Sequence, residues 1–471
     1  MEETLSFDDV LIKPRKGIVT SRKDINISTN IGNLKLNMPL ISLNMDTVTE
    51  TDMAIAMARQ GGIGMVHRFM TIEEQANIIK KVKRSMSLII ENPYHIDANK
   101  TALEAKDEME EKGIGGLLVT DENKLVGIIT TKDLVFQSDQ TLVRDLMTKD
   151  LITANLGVTQ EEAKNIMHKN RIEKLPVLDN GRLIGLISSK DIRKRETFTN
   201  SAVDSKGRLI VGAAVGVVGD YLERTKALIE AGADAINIDV AHGHSDLCIN
   251  ATKQIKEIAG DVTVISGNVA TYEGFLALAN AGADAIRCGV GNGTICLTRI
   301  VTGCGVPQIS AITDCYRASK ETNIPLISEG GTKNSGDVVK AIIAGASAVA
   351  IGSQFAGTDE SPGKAILRNG RRFKLYRGST SFEASIGRKI REKQNNVTEY
   401  MDEVVPEGVE SYVPYKGSVN EIIHQLLGGL KSGLSYCGVN NLKDAIGLQN
   451  FIKITGMGMR ESHAHDVDVI K

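Results

Sequence analysis

The sequence predicts an α/β protein built on a (β/α)8 barrel that is interrupted by a smaller inserted domain. Helix–strand pairs of one plan recur on both sides of the middle of the chain, and a different repeat fills the middle itself. The length agrees, since 471 residues are more than one small core needs. The composition, with 46 glycines and 42% hydrophobic residues, is typical of an α/β protein.

The outer repeat is a helix rich in Ala, Leu and Ile that ends at a glycine and is followed by a short apolar strand. It occurs four times, as AIAMARQGGIGMVH (54–67), ALIEAGADAINID (227–239), LALANAGADAIRCG (276–289) and AIIAGASAVAIGS (341–353). The glycine suits a left-handed helix cap, and all-apolar strands suit a parallel sheet buried on both faces. We therefore expect residues 1–91 and 202–471 to form the barrel. The alternative, an open doubly wound sheet, is disfavoured because no GxGxxG follows the first strand.

The inner repeat occupies residues 92–201. Its copies begin as TALEAKDEMEEKGIGGLLVTD at Thr101 and TQEEAKNIMHKNRIEKLPVLD at Thr159, and continue as LVGIITTKDL (125–134) and LIGLISSKDI (183–192). Each copy predicts a helix, a strand, a turn, a second strand and a second helix. One copy is too small to close a core, so we expect 92–147 and 148–201 to pack together.

Charge and cysteine usage bound the class of protein. The net charge is −2, so no global field favours nucleic acid or an anionic membrane, and no apolar run is long enough to span a bilayer. The first residues, MEETLSFDDV, lack the basic and apolar parts of a signal peptide. The six cysteines form no CxxC pair, which indicates a reduced, cytoplasmic protein without a membrane partner.

One cysteine, Cys296, lies in a glycine-rich loop, GVGNGTICLTR, which comes after the predicted strand ADAIRCG. In a barrel, such loops carry the chemistry. Gly289, Gly291 and Gly293 allow the backbone to approach a ligand and to face an anion or a bare cation. Cys296 at the rim can attack an electrophilic carbon as a thiolate, with the hydroxyl of Thr298 beside it. The alternative is a buried, inert cysteine.

Two later loops, SEGGTK (328–333) and AIGSQFAG (350–357), end neighbouring predicted strands. Such loops often bind phosphate through backbone N–H groups, although ordinary turn glycines are the alternative. Upstream, Asp239 ends a strand where a carboxylate could bind ribose hydroxyls. His242 and His244 follow it, and we interpret them as a polar rim because no third metal ligand stands nearby.

The segment 376–417 is long, polar and poor in aliphatic periodicity. This pattern predicts a mobile flap over the site. A solvated surface excursion is the alternative interpretation.

These stretches together resemble the IMP dehydrogenase/GMP reductase family. The resemblance covers essentially the whole chain in the family's order, through LSFDDVLIKP, NMDTVTE, GGIGMVHR, DVAHGHS, SGNVAT, GVGNGTICLTR, GVPQISA, EGGTKNSGD, GSQFAGTDESPG, PEGVESYVPYKG and RESHAHDV. The inner repeat resembles the two cystathionine-β-synthase-type (CBS) modules inserted in most members. The resemblance therefore implies a TIM barrel interrupted by a tandem CBS regulatory domain.

The resemblance also implies a reaction. The expected activity is oxidation of IMP to XMP with NAD through a covalent cysteine thioimidate, a step of guanine nucleotide synthesis, in a homotetramer that binds K+. The alternative is GMP reductase, which converts GMP to IMP and ammonia with NADPH through the same cysteine. A third hypothesis, from another class, is a nucleotide-binding scaffold without turnover whose CBS pair acts as the sensor.

Residue roles carried over from the family fall into four groups. Cys296 would be the nucleophile, Thr298 and Glu407 would relay a proton, and Arg391 is the candidate water-activating base. Substrate would be bound by Asn44, Met45, Thr294, Glu329, Gly330, Gly331, Gly352, Ser353, Tyr376, Arg377, Gly378, Ser379, Thr380 and Glu407. The cofactor NAD would be bound by Asp239, Gly289, Val290 and Gly291. The cation would be bound by Gly291, Gly293 and Cys296, completed by Glu461, Ser462 and His463 of a neighbouring subunit.

In the CBS pair, Thr130 with Asp133 and Ser188 with Asp191 match ribose-binding positions. The resemblance implies adenine or guanine nucleotide effectors there. A purely structural pair of modules is the alternative.

The chain departs from the family pattern in the loops around the site. Thr294 stands where a serine is usual, Cys288 where an aliphatic residue is usual, and Glu329 where an aspartate grips the ribose hydroxyls. The extra methylene of Glu329 is expected to push its carboxylate forward.

The flap departs more. Ser379, Thr380 and Ser381 replace Met-Gly-Ser, and Arg391 is followed by Glu392 instead of a tyrosine. An arginine acts as a base only where its charge is suppressed, which a neighbouring carboxylate opposes. Residues 388–393 can instead be interpreted as a solvated helix face.

Other stretches separate the two reactions. The missing Arg-Tyr pair and the Asp-Val-Ala of DVAHGHS favour the reductase. TRIVTGCGVPQ lacks the Lys-Lys and Tyr of common reductases, and PEGVESYVPYKG and RESHAHDV favour the dehydrogenase.

Overall fold

A computed structural model describes residues 3–91, 93–122, 124–384 and 405–464. The chain divides into two compact units. The barrel unit takes in the chain up to Ser85, Asn200–Asp204 and the chain from Leu209 onward, and the inserted unit consists of Met86–Thr199 and Ser205–Arg208.

The barrel unit begins with short elements that precede the insertion. They are the 3-10 turns Phe7–Asp9 and Arg22–Asp24, the strands β1 (Val10–Ile12), β2 (Thr29–Ile31), β3 (Leu34–Leu36), β4 (Leu40–Ser42) and β5 (Ile63–Val66), and the helices α1 (Thr51–Gln60) and α2 (Ile72–Arg84).

The inserted unit contains the elements of the inner repeat. They are β6 (Ile90–Glu91), β7 (His95–Asp97), α3 (Ala102–Lys112), β8 (Gly116–Asp121), β9 (Lys124–Thr130), α4 (Val143–Leu146), β10 (Ala154–Asn155), α5 (Gln160–Asn170), β11 (Lys174–Asp179), β12 (Arg182–Ser188) and α6 (Ser189–Thr197).

The barrel unit then resumes and alternates strand and helix. Its elements are β13 (Gly212–Val215), α7 (Tyr221–Glu230), β14 (Ala235–Asp239), α8 (Asp246–Ala259), β15 (Thr263–Val269), α9 (Tyr272–Asn280), β16 (Ala285–Cys288), α10 (Thr298–Thr302), α11 (Gln308–Thr322), β17 (Leu326–Glu329), α12 (Ser335–Ala344), β18 (Ala348–Ile351), β19 (Ile366–Arg368), β20 (Arg371–Arg377), β21 (Glu410–Pro414), α13 (Val419–Tyr436), α14 (Leu442–Ala445), β22 (Phe451–Lys453) and α15 (Gly456–Glu461).

Eight parallel strands close into a barrel in the order β13, β14, β15, β16, β17, β18, β4, β5. The predicted TIM barrel is therefore confirmed. Strands from both sides of the insertion take part, because β18 pairs with β4 and β5 pairs with β13. Every residue of β15, β16 and β18 is buried, as expected for strands covered on both faces.

The glycines of the outer repeat have the left-handed conformation that the pattern predicts. Gly61, Gly232, Gly282 and Gly345 have φ of 101°, 96°, 96° and 138°. These angles disfavour side chains with a Cβ, so glycine ends each helix and turns the chain into the next strand.

The inserted unit has one small sheet and one apolar core for each copy of the inner repeat. The first copy contributes the sheet β7-β8-β9 and the second contributes β10-β11-β12, which β6 extends. Residues 90 and 91, expected in the barrel segment, thus pair with β12 in the inserted unit. Helices α3 and α5 start at matching capping boxes, Thr101 with Glu104 and Thr159 with Glu162.

The second predicted helix forms in the second copy, as α6, and is replaced by turns after β9 in the first. Both copies contain the same local hydrogen bond from a hydroxyl to a carboxylate three residues later, Thr130 to Asp133 and Ser188 to Asp191. In the first copy Phe136 has φ of 59°, which ends any helix at that point.

The ends of the predicted flap segment form strands. β20 pairs with β19 on one side and with β21 on the other. Residues 385–404, which include Arg391, lie outside the described residues. No helix in the described parts of the chain combines the length and apolar character that crossing a bilayer requires.

Candidate active site

A cavity of about 540 Å³ opens at the carboxyl ends of the barrel strands. Its wall contains most of the residues that the sequence singled out: Asn44, Met45, Asp239, Gly289, Gly291, Gly293, Thr294, Cys296, Thr298, Glu329, Gly330, Gly331, Gly352, Ser353, Tyr376, Gly378, Ser379 and Thr380. The parallel barrel explains this convergence, because all eight strands deliver their carboxyl ends to one rim.

Cys296 is partly exposed in this wall and begins a chain of polar contacts. Its Sγ lies 3.1 Å from Oγ1 of Thr298, which donates a 2.8 Å hydrogen bond to Oε2 of Glu407. Because a threonine hydroxyl has one proton, and that proton points to Glu407, the protonated cysteine is the donor in the first contact. The arrangement can carry a proton from the sulfur to a carboxylate.

Glu407 is held here by backbone pairing between two loops. Leu297 donates its N–H to the carbonyl of Glu407 (2.6 Å), and Val409 donates to Ile295 (3.0 Å). Cys296 and Gly408 form an antiparallel bridge. The two loops thus lock together, which fixes Glu407 beside Thr298 although it does not line the cavity itself.

Arg287, near the end of β16, lies behind the cavity wall and is 3% exposed. Nη1 donates to Oε2 of Glu329 at 2.8 Å, and Nη2 donates to Oδ1 of Asp239 at 3.0 Å. Asn44 and the carbonyl of Ile238 accept from the same guanidinium at 3.3 and 3.1 Å. One cation is therefore shared by two carboxylates that face the cavity. Glu329 is one methylene longer than the expected aspartate, and its carboxylate makes this contact with Arg287.

The two carboxylates differ in acidity. Burial raises the pKa of Glu329, and the attraction of Arg287 offsets this only in part. Burial would also raise the pKa of Asp239, but Arg287 and Arg68 together lower it below its ordinary value. The site therefore favours an ionised Asp239 and a more easily protonated Glu329.

The glycines after β17 form a turn beside Asn292. Gly330 and Gly331 have φ of 87° and 78°. Nδ2 of Asn292 donates to the carbonyl of Glu329 at 2.9 Å, and a Cβ on Gly330 would lie 2.7 Å from Oδ1 of Asn292. A side chain at Gly330 is thus excluded by both conformation and space.

On the opposite wall, Tyr376 is buried beside Gly352, and burial raises the pKa of its phenol. Lys416 donates to the carbonyl of Ser353 at 2.7 Å. These contacts fix the loop after β18, where Gly352 and Ser353 face the cavity.

Several predicted site residues lie elsewhere. Val290 does not line the cavity, and Arg377 is directed to Asp46, with Nε 2.7 Å from Oδ2. Glu461, Ser462 and His463 are exposed at the end of α15. Arg391 lies outside the described residues.

The carbonyls proposed for a cation sit in a tight turn, in which Gly293 O accepts the N–H of Cys296 at 3.1 Å and Gly291 has φ of 76°. A carbonyl oxygen has a second lone pair, so this turn can still offer Gly293 to a cation. Among the described residues no group of three His, Cys, Asp or Glu side chains forms a metal cluster.

Sequence reasoning missed part of the wall. The missed residues include Arg68, Phe69, Val217, Val218, Asn268 and Asn292, together with Arg287 behind them. Arg287 carried a usable signal, because an arginine inside a fully buried strand requires anionic partners. Arg68 and Asn268 gave no such signal, since polar residues at strand ends are common.

The inserted unit has a cavity of about 510 Å³ lined by Lys106, Met109, Glu110, Gly113, Ile114, Gly115, Thr131, Leu134, Val135 and Lys190. Asp133 accepts from Oγ1 of Thr130 at 2.7 Å, and Asp191 accepts from the hydroxyl of Ser188. Both carboxylates keep further lone pairs.

Comparison with known proteins finds one family over nearly the whole chain. A family model described as IMP dehydrogenase / GMP reductase domain matches residues 4–465. Inosine-5'-monophosphate dehydrogenase of Nitrosopumilus maritimus is 51% identical over 470 residues, which covers 99% of each chain. GMP reductase of Leishmania donovani is 44% identical over 481 residues, which covers 99% of this chain and 98% of the relative.

Solved structures are also similar. A cysteine-to-alanine variant of GMP reductase from Trypanosoma brucei, in complex with guanosine 5'-monophosphate, has a TM-score of 0.93 and 43% identity and covers 99% of each chain. GMP reductase from the same organism in complex with guanosine 5'-triphosphate has a TM-score of 0.82 and 39% identity, and covers 97% of this chain and 99% of that one.

Proposed function

Since the chain belongs to the IMP dehydrogenase/GMP reductase family of oxidoreductases, we propose that it oxidises IMP to XMP with NAD. The observation that carries the proposal is the contact chain from Cys296 through Thr298 to Glu407. It joins a nucleophile to a proton acceptor at the mouth of the barrel. The 51% identity to a dehydrogenase over the full length favours this direction.

In the proposed mechanism, Thr298 takes the thiol proton of Cys296 as it passes its own proton to Glu407, and the sulfur then adds to C2 of the purine. NAD, held by Asp239 and Gly289 to Gly291, would supply the acceptor for the hydride of C2. Water then attacks C2 of the resulting thioimidate, the C–S bond breaks, and XMP leaves. Dividing the reaction lets one cysteine serve both the redox and the hydrolytic half. Arg391 remains the proposed activator of that water.

The cavity wall supports the proposed subsites. Thr294, Gly330, Gly331, Gly352 and Ser353 offer hydroxyl and backbone groups to a phosphate. Asn44, Met45, Glu329, Tyr376 and Arg377 to Thr380 are assigned to the rest of the nucleotide, and Arg377 would act through Asp46. Asp239 and Gly289 to Gly291 are assigned to NAD, for which an ionised carboxylate suits ribose hydroxyls.

A monovalent cation such as K+ fits the turn that contains Gly291, Gly293 and Cys296, because bare carbonyls suit a hard cation. Its charge would stabilise the loop that positions Cys296. We assign Glu461, Ser462 and His463 to the same cation in a neighbouring subunit of a homotetramer. Their exposure at the end of α15 supports a role outside their own barrel.

The inserted unit is proposed to be a CBS pair that binds adenine or guanine nucleotides at Thr130 with Asp133 and at Ser188 with Asp191. Its two similar sheets support this assignment. Its cavity is lined by Thr131, Leu134 and Lys190, which adjoin these positions in the chain, and not by the four residues themselves. Calorimetric titration of the full chain with ATP and GTP, with Asp133→Ala and Asp191→Ala as variants, tests it. Unchanged binding of ATP and GTP in both variants would indicate that the pair has a structural role.

GMP reductase is the second candidate, because a reductase structure with bound GMP superposes with a TM-score of 0.93 over 99% of the chain. Thr298 and Glu407 would then deliver a proton to the leaving ammonia. The deciding experiment uses two cuvettes, one with IMP, NAD and KCl and one with GMP and NADPH. The dehydrogenase produces NADH in the first, and the reductase consumes NADPH in the second.

Cys296→Ala distinguishes either enzyme from a nucleotide-binding scaffold. We expect this variant to lose at least about 10³-fold in turnover. Cys304→Ser changes an exposed cysteine on the next loop and should retain activity. Nucleotide binding without turnover in the wild type, unchanged by Cys296→Ala, would favour the scaffold.

A further inference from the structure

Arg287 lies one layer below the residues that line the cavity. Arg287 of β16 lies opposite Ile327 of β17, so Glu329 stands two residues further along the neighbouring strand. Residues two apart on a strand point to the same side and are separated by about 6.5 Å. The contact of 2.8 Å between the two side chains therefore spans one layer of the barrel interior.

The length of residue 329 decides whether this contact forms. The resemblance drawn from the sequence implies an aspartate at the position of Glu329. An aspartate carboxylate would end about 1.5 Å nearer its own strand, the length of one C–C bond. The hydrogen bond of 2.8 Å would then be lost or would require Arg287 to move.

The same guanidinium is tied to Asp239, two strands away around the barrel. The side chains of Asp239 and Glu329 are each 18% exposed, whereas that of Arg287 is 4% exposed. Thus both carboxylates present one side to the cavity and the other to a shared, buried cation. In such a buried network, a change at one acceptor redistributes the donor between the two.

We propose that Arg287 is a positioning residue that links the nucleotide subsite at Glu329 to the dinucleotide subsite at Asp239, and that the glutamate at 329 completes the link. The assignment of the two subsites rests on the proposed function. The linkage makes a specific prediction: a change confined to Glu329 alters affinity for a dinucleotide that this residue does not contact.

The direction of this effect follows from the geometry. When Glu329 is shortened, Arg287 turns both arms of its guanidinium toward Asp239. The carboxylate of Asp239 then accepts ribose hydroxyls less well, because its lone pairs are already used. Dinucleotide binding should weaken about fivefold, which corresponds to one hydrogen bond.

The experiment measures binding in a Cys296→Ala background, in which no turnover confuses the titration. NAD alone and IMP alone are titrated into the full-length protein by calorimetry, and NADP and GMP are titrated in parallel. The variants are Glu329→Asp, Asp239→Asn and Arg287→Lys. Lys256→Gln is the matched control, because Lys256 pairs with Asp284 at 2.7 Å in the same barrel but does not line the cavity.

Linkage is supported if Glu329→Asp weakens the dinucleotide, if Asp239→Asn weakens the nucleotide, and if both cross-effects vanish when Arg287→Lys is added. A merely structural arginine would lower affinity for both ligands without abolishing the cross-effects. If Arg287→Lys does not fold, Glu329→Gln, which keeps the length and removes the charge, serves as a second test and should also weaken dinucleotide binding.

An unchanged dinucleotide Kd in both Glu329 variants would overturn the proposal. The result is independent of the reaction, since a protein that makes no NADH from IMP can still be tested with GMP and NADP. Failure of the proposed function and failure of the linkage are therefore separate outcomes.

Discussion

Thr298 and Glu407 are 109 positions apart in the chain, and their side chains meet in a hydrogen bond of 2.8 Å. The first opens α10 directly after the cysteine loop, and the second lies in the segment that returns before β21. Together with the contact between Cys296 and Thr298, this bond forms the proton path that we propose. It depends on the pairing of two loops, which Leu297 and Val409 secure through their N–H groups.

Breaking this path should reduce the rate more than the affinity. We expect Thr298→Val and Glu407→Gln each to lower kcat by about 10²–10⁴-fold, the usual contribution of general acid–base catalysis. The double variant should be little worse than either single variant, because both residues serve one path. Thr302→Val, one helical turn later, is the control and should keep near-normal kcat. Fully additive losses would show that the two residues act separately.

Gly289→Ala should disrupt the start of the cysteine loop. At φ of 149°, an added Cβ would lie against the carbonyl oxygen of Glu329 at a distance that no atoms adopt without movement. We expect a loss of stability more than about 2 kcal/mol beyond that of Gly303→Ala, together with weaker nucleotide binding. Gly303 also has positive φ, but a Cβ added there would have no atom within 4 Å. Equal losses of stability in Gly289→Ala and Gly303→Ala, measured by thermal unfolding, would refute the steric explanation.

The matching capping boxes of the inserted unit should contribute equally to stability. Thr101→Ala and Thr159→Ala each remove a side-chain acceptor at the start of a helix, and each should cost about 1 kcal/mol. Hydrogen exchange of the amides in α3 and α5 in the full-length protein measures each helix separately. Thr131→Ala, at an exposed turn, is the control. The prediction is wrong if α3 and α5 keep wild-type protection.

Glu104 should titrate well below its ordinary range. A hydrogen bond from Lys100, together with the N–H of Thr101, lowers the pKa of its carboxyl from 4.5 to about 2. Because the folded-state pKa is lowered, the ionised carboxylate stabilises the fold above about pH 4.5, and that stabilisation is lost as the pH falls towards 2.

NMR titration of the Glu104 carboxyl in wild type and in Lys100→Gln tests this prediction. The variant should move the pKa back towards 4.5. Glu162, in the matching box of the second copy, is an internal reference, since its pKa is lowered by the N–H and hydroxyl of Thr159. An unchanged Glu104 pKa in Lys100→Gln would exclude Lys100 as the main cause.

The sequence alone determined the barrel, the two-copy insertion and most of the cavity wall. Glycine-ended helices followed by all-apolar strands are local patterns, and the placement of strand ends at one rim follows from parallel topology. Asp239, Cys296 and the glycines after β17 could be predicted because each lies at the end of such a strand or in the loop that follows it.

Tertiary structure alone decided the contacts among those residues. The hydrogen bond between Thr298 and Glu407 and the sharing of Arg287 between Asp239 and Glu329 join residues from distant parts of the chain. The turn that replaces the second helix of the first inner copy, at Phe136, was also invisible in the repeat. Hydrophobic periodicity records which face is buried, whereas hydrogen bonds of a few ångströms depend on how the whole barrel closes.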